Sequence, residues 1–146
     1  MPAVRRTPFV ELVWRVHRGL FRASGGRIAP RLGALPVLLL TVRGRKSGVA
    51  RDVVLNYIRD GDRYVVFASH AGEDREPPWW LNLREAAEAE VMVGGERFRV
   101  RAREADGAER LRLWSEVTGR DDAYAEYETR TARRIAVVVL ERAQRR

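Results

Sequence analysis

The sequence predicts an antiparallel α+β domain, a partly closed β-barrel of six or so strands with helices outside it. Three observations carry this reading. Apolar residues recur at helical spacing over residues 8–23, whereas the apolar runs after residue 35 are short and strand-like. The turn signals Asp60-Gly61-Asp62 and Gly94-Gly95 each join two such runs directly, which makes the joined strands antiparallel. There are no internal repeats and no linker long enough to divide the 146 residues, so residues 1–146 are read as one domain.

The elements follow in order. Thr7 can cap a helix over residues 8–23, and Pro8 suits its first position. Phe9, Leu12, Val13, Val16, Leu20 and Phe21 form its apolar stripe, with Arg15, Arg18 and Arg22 largely off it. Such a basic amphipathic helix, which also carries Trp14, can lie on an anionic membrane or pack its apolar side on a core; packing is the expectation. Ser24-Gly25-Gly26 ends it. Strands are expected at Pro36–Val42, Val49–Arg59 and Arg63–Ser69, then a polar loop over 70–78 and a short helix from Pro78 or Trp79 to about Ala87. Glu90–Val93 and Glu96–Glu104 make a hairpin in which Phe98, Val100 and Ala102 alternate with Arg97, Arg99, Arg101 and Arg103, a strand with one wet face. Asp106 can cap a helix over 107–118, with Leu111, Leu113 and Trp114 available for packing. A second helical piece covers about 121–131, and Ile135–Leu140 reads as a central strand.

Charge is unevenly placed. Residues 1–51 hold ten arginines and one lysine against a single acid, Glu11, while the remaining residues are close to balanced. A basic front half suits an anionic partner: a phosphorylated cofactor, an anionic membrane surface or nucleic acid. Lys46 is the only lysine among 28 basic residues, and it stands inside a glycine-bounded turn. No apolar run approaches the roughly 20 residues that span a bilayer, and no secretory signal is read at the N-terminus. With no cysteine, thiolate chemistry is excluded and a cytoplasmic location is expected, with membrane association left open.

Several chemistries lack their residues. His17 and His70 cannot make a typical metal site without cysteines, and no metal is expected. There is no nucleophile elbow, Walker loop or GxGxxG. What remains is the turn Thr41–Gly48, which puts two glycines, a hydroxyl and three cations between two strands. Backbone N–H groups, Ser47 and the Lys46 ammonium can surround phosphate oxygens there, with Arg51 added from the next strand; a solvated basic hairpin has the same composition.

The turn has ordered company. Ala68-Ser69-His70-Ala71-Gly72 follows the third strand, Pro77-Pro78-Trp79-Trp80-Leu81-Asn82-Leu83 comes next, and Tyr124 and Tyr127 precede the last strand. Together with Thr41–Arg51 and Asp60–Asp62, these segments resemble the deazaflavin-dependent nitroreductases, a branch of the split-barrel flavin and deazaflavin oxidoreductases, across roughly residues 35–141. The resemblance implies a split β-barrel that binds coenzyme F420 and transfers a hydride to a quinone, a nitroaromatic or an activated alkene. By the same resemblance Arg45, Lys46, Ser47 and Arg51 would hold the cofactor phosphate. Val53, Val54, Leu55 and Asn56 would border the deazaflavin, with Ala68, Ser69 and His70 against its ring. Trp79, Trp80 and Asn82 would shape its channel, while Ser69, Tyr124 and Tyr127 would face the substrate as catalytic residues. Ala71 replaces a glycine usual in the family, and Val53–Tyr57 lacks its proline. Two other readings stand beside this one: an FMN-dependent enzyme of the same fold, and a basic module that binds membrane or nucleic acid without catalysis. A homodimer is common among split barrels.

Overall fold

The computed structural model describes residues 5–27, 31–32 and 34–143. Helix α1 (Pro8–Ala23) begins as the sequence predicts: the Thr7 side chain accepts a hydrogen bond from the Val10 N–H, and Pro8 opens the first turn. Strands β1 (Arg31–Leu32), β2 (Leu35–Arg43), β3 (Ala50–Asp60) and β4 (Arg63–Phe67) follow, then α2 (Pro78–Ala86). The hairpin β5 (Glu88–Val93) and β6 (Glu96–Glu104), helices α3 (Gly107–Arg120) and α4 (Asp122–Arg130), and strand β7 (Val137–Arg142) complete the chain.

All strand pairs are antiparallel, in the order β1-β2-β3-β4-β7-β6-β5. A further pairing of β2 with β5, through Leu39 to Met92 and Leu40 to Val91, closes β2–β7 into a six-stranded barrel. Closure removes the sheet edges that an open antiparallel sheet would expose. The barrel interior is aliphatic: Leu38, Leu40, Val42, Val66, Val91, Val100, Val138 and Leu140 interlock, and Trp79, Trp80 and Leu83 of α2 join them. A second cluster lies outside the barrel, where Leu113, Val117, Tyr124 and Tyr127 of α3 and α4 cover Ile58, Val65, Phe67, Val137 and Val139.

One irregularity shapes the site. Residues 50–56 of β3 pair with β2 on one side, but β4 pairs only with residues 57–60. The other backbone edge of residues 50–56 therefore has no strand beside it among the described residues, and this is where the barrel is split.

Three expectations need correction. Helix α1 has the predicted bounds, but of its apolar stripe only Phe21 is buried; Phe9, Leu12, Val13, Val16 and Leu20 are 42–74% exposed. Val10, Trp14, His17 and Phe21 are less exposed instead: Phe21 packs on Val37, Leu39 and Met92, while Val10, Trp14 and His17, with Phe9 and Val13 of the stripe, line a cleft. Leu111, expected to pack, is exposed on the outer side of α3, while Leu113 is buried. Asp106 occupies the N-cap of α3 but its side chain makes no capping hydrogen bond; Asp121 does cap α4, accepting from the Ala123 N–H at 3.0 Å. Among the described residues no helix is long and apolar enough to cross a membrane.

Candidate active site

A cleft of about 930 Å³ opens where the barrel is split, roofed by α1 and walled by β3, α2 and α4. Its cationic end is the β2–β3 turn. Gly44 N–H donates to the Val49 carbonyl and Gly48 N–H to the Gly44 carbonyl, both at 2.9 Å, and Gly48 takes the positive φ (74°) that closes the turn. Ser47 Oγ accepts from the Val49 N–H at 3.2 Å. From α2, the buried Asn82 fixes the turn by accepting from the Arg45 N–H at 3.1 Å and from Arg45 Nη1 at 2.7 Å. Lys46, Ser47 and Arg51 then line the cleft, and neither cation has a carboxylate partner among the described residues.

The middle of the cleft is the open edge of β3. Val53, Val54, Leu55 and Asn56 all line it. Residues of an antiparallel strand point their N–H and C=O groups alternately to its two sides, so a strand paired on one side only leaves half of them aimed outward. A planar heterocycle with hydrogen-bonding edges is a suitable occupant of that wall. Trp79, at the start of α2, also lines the cleft, with most of its ring buried against the barrel core.

The far end joins the segment after β4 to α4. Ser69, His70 and Ala71 line it, with His70 and Ala71 at φ 47° and 54°, a left-handed conformation that costs a side chain about 1–2 kcal/mol. Gly72 continues the turn at φ 77°, and a Cβ there would lie 2.9 Å or less from Arg130 and the Tyr127 carbonyl, so only glycine lets the turn approach α4 this closely. The His70 Nδ1–H donates to the Arg75 carbonyl at 3.0 Å, which leaves Nε2 as the acceptor. Burial pushes its pKa below the usual histidine value, against the Arg75 carbonyl bond, so the ring is neutral at pH 7. Tyr124 and Tyr127 pack edge to face, centroids 5.6 Å apart, and Tyr124 also meets the Phe67 and Trp114 rings. Burial, with Tyr127 and Asp121 nearby, raises the Tyr124 pKa well beyond the ordinary phenol range. It is a donor throughout physiological pH.

Of the site residues expected from sequence, fourteen are brought to this one cleft. Two are not. Trp80 follows Trp79 on α2, and the turn of roughly 100° between successive helical residues sends it into the barrel core, 3% exposed. Ala68 is fully buried, its N–H donating to the Ala136 carbonyl at 3.0 Å. Sequence reasoning missed Val10, Trp14 and His17 of α1 and Asp121 of α4, which also line the cleft. The helical period found only part of the inward side of α1, Phe9, Val13 and Phe21, because it weighs hydrophobicity alone.

Comparison with known proteins identifies a family and a fold. A family model described as F420H(2)-dependent quinone reductase matches residues 13–142. An F420H(2)-dependent quinone reductase of Mycobacterium tuberculosis is 40% identical over 132 residues, covering 88% of this chain and 89% of that protein. A solved structure described as an F420-H2 dependent reductase is 34% identical with a TM-score of 0.67, covering 73% of this chain and 94% of the other. Another, described as a domain-swapped dimer, is 29% identical with a TM-score of 0.69, covering 92% and 100%.

Proposed function

This chain belongs to the F420H(2)-dependent quinone reductase family, a family of oxidoreductases, and we propose that it binds reduced coenzyme F420 in the split of its barrel and reduces a quinone there. The observation that carries the reading is the order of chemistry along one cleft: uncompensated cations, an open strand edge, then hydroxyl donors. Cations and backbone N–H groups at one end suit the phosphate, and the planar wall suits the deazaflavin, so the residues present fit the group.

Lys46, Ser47 and Arg51 would hold the phosphate, with Arg45 steadied by Asn82. The backbone of residues 53–56 would meet the polar edge of the ring, and Trp79 would exclude water from one side. Arg18, Arg51 and Asp52 line both the cleft and an adjoining polar groove, which supports an exit there for an anionic tail. Bound in its reduced form, the deazaflavin supplies a hydride. The acceptor gains negative charge on oxygen as it is reduced, and the Ser69 and Tyr127 hydroxyls would donate hydrogen bonds to it. Tyr124, locked among Phe67, Trp114 and Tyr127, would hold Tyr127 in place and remain protonated. Nitroaromatics and activated alkenes develop charge in the same way and fit the same donors.

The exposed stripe of α1, with Arg15 and Arg18 beside it, supports contact with an anionic membrane surface, where a lipophilic quinone resides. A homodimer covering that stripe is the second reading, favoured by the dimeric neighbour. FMN loses support to the deazaflavin on family grounds. The nucleic-acid reading loses support because the β6 arginines are internally paired.

The test is spectroscopic. Reduced F420 with menadione alone, or with the protein alone, should stay reduced, and the absorbance of the oxidised deazaflavin should return only when all three are present, with F420 binding at micromolar concentration. No binding in that range, or a preference for FMN, sinks the reading. Sedimentation with anionic and neutral vesicles, beside a sizing run, separates the two roles of α1.

A further inference from the structure

The turn that carries Ser69, His70 and Ala71 to the cleft lies between β4 and α2, without a strand to hold its carbonyls. Three successive positive φ angles, 47°, 54° and 77°, at His70, Ala71 and Gly72 persist only where the surroundings over-determine them. The turn holds part of itself, Gly72 N–H donating to the Ser69 carbonyl at 2.8 Å and Glu73 N–H to the His70 carbonyl at 3.1 Å, and one side chain from beyond α4 adds three bonds more. Arg133 Nη1 donates to the Ala68 carbonyl at 3.0 Å, Nη2 to the Ser69 carbonyl at 2.9 Å and Nε to the Glu73 carbonyl at 2.9 Å. Arg130 Nη1 adds a bond to the Ala71 carbonyl at 3.2 Å, and Thr131 Oγ1 one to Asp74 Oδ1 at 2.9 Å.

Arg133 is half-buried and, among the described residues, forms no ion pair. Its charge is used on backbone carbonyls. Burial lowers its pKa from the ordinary arginine value, with Glu76, Asp74 and Glu73 opposing from a distance. A planar fork with donors on three nitrogens can reach carbonyls of residues 68, 69 and 73 together, whereas a lysine ammonium cannot match that geometry. The residue also stands three positions after the end of α4, which bears Tyr124 and Tyr127.

We infer that Arg133 is a positioning residue: its guanidinium ties the Ser69 turn to the end of α4, so that the Ser69 and Tyr127 hydroxyls approach the acceptor as one rigid unit. The inference rests on the proposed reaction for its kinetic consequence and on the hydrogen bonds alone for its structural one. Arg133 touches no reacting atom. It acts through the backbone of the turn.

The experiment compares the full chain with Arg133→Ala, Arg133→Lys and, as a neighbouring surface control, Arg134→Ala. Hydrogen exchange of the cofactor-free proteins should show residues 68–73 opening about ten-fold faster or more in both Arg133 variants, with the barrel strands unchanged. With F420H2 and menadione, kcat should fall about ten-fold or more while the F420 Kd, set by the distant phosphate anchor, moves less than about three-fold. Guanidinium ion at millimolar concentration should restore part of the rate to Arg133→Ala. Unchanged exchange over residues 68–73 in Arg133→Lys, or equal opening in Arg134→Ala, overturns the inference, and should Arg133→Ala fail to fold, Arg133→Lys decides. If the parent protein does not oxidise F420H2, the proposed reaction fails, yet the exchange measurement still accepts or rejects the clamp.

Discussion

Two arginine-rich stretches of this molecule look alike in composition and differ in what meets them. Along β6, Arg97 faces Glu90, Arg99 and Arg101 share Glu88, and Arg103 sits between Glu109 and Glu141. The Arg103 pKa is accordingly raised by hydrogen bonds to Glu109 and then Glu141. Around the β2–β3 turn, Arg45 meets the neutral Asn82, while Lys46 and Arg51 meet no carboxylate among the described residues. Cations left uncompensated beside a concave apolar wall make a standing site for an anion, whereas a face that carries its own counter-charges is complete without one.

The largest effect expected from this difference is on cofactor affinity. Replacing Lys46 and Arg51 together with alanine should weaken F420 binding at least about 100-fold, from charge-assisted hydrogen bonds of roughly 1.5–3 kcal/mol each. A fluorescence titration measures it, and kcat at saturating cofactor should stay within about three-fold. If turnover fell and affinity did not, the anchor would lie elsewhere. Next comes the opposite end of the cleft: Tyr127→Phe should lower kcat/KM for menadione about ten-fold with little change in F420 Kd, by removing one donor to the reduced acceptor. Because burial raises the Tyr124 pKa, the pH profile of kcat/KM should show no alkaline loss from Tyr124 between about pH 7 and 9.

Smaller effects belong to the internally compensated charges. Asp60 accepts from Arg112 at 2.9 and 3.1 Å and pairs with Arg63, and these partners hold its pKa down at about 2. The folded value lies below the unfolded one of about 3.9, so the stabilisation is complete above that pH and disappears as pH falls toward 2. Denaturation at pH 5, 4, 3 and 2 should show this loss, and Asp60→Asn should flatten it. The smallest effect is predicted for Arg99→Ala, less than about 0.5 kcal/mol in stability, since an exposed ion pair contributes little. An unchanged F420 titration for Arg99→Ala beside a weakened one for Lys46→Ala would complete the comparison; equal weakening would erase it.

Much of the fold was legible beforehand because its signals are local. The bounds of α1 follow from Thr7, Pro8 and the glycines after Ser24, and the β5–β6 hairpin from two glycines between alternating runs. The cleft was legible less directly. Lys46, Ser47, Arg51, Ser69 and Tyr127 were identified through a resemblance in the order of several motifs, and the fold then brings them to one cavity. Trp80 lies in the barrel core and not in the cleft lining because adjacent helical residues face different ways, and nothing local distinguishes Arg133 among 27 arginines.

By itself the sequence determined the periods, the turns, the caps and the placement of a cationic, glycine-bounded loop between two strands. These depend on backbone preferences and on neighbours within a few residues. Only the tertiary structure decided which face of α1 turns inward, which arginines are neutralised, and where β3 loses its second strand. It also decided that Arg133 reaches the Ala68 carbonyl across 65 residues of chain. Each of these is a meeting between distant segments, and its energy depends on a geometry that exists only once the barrel has closed.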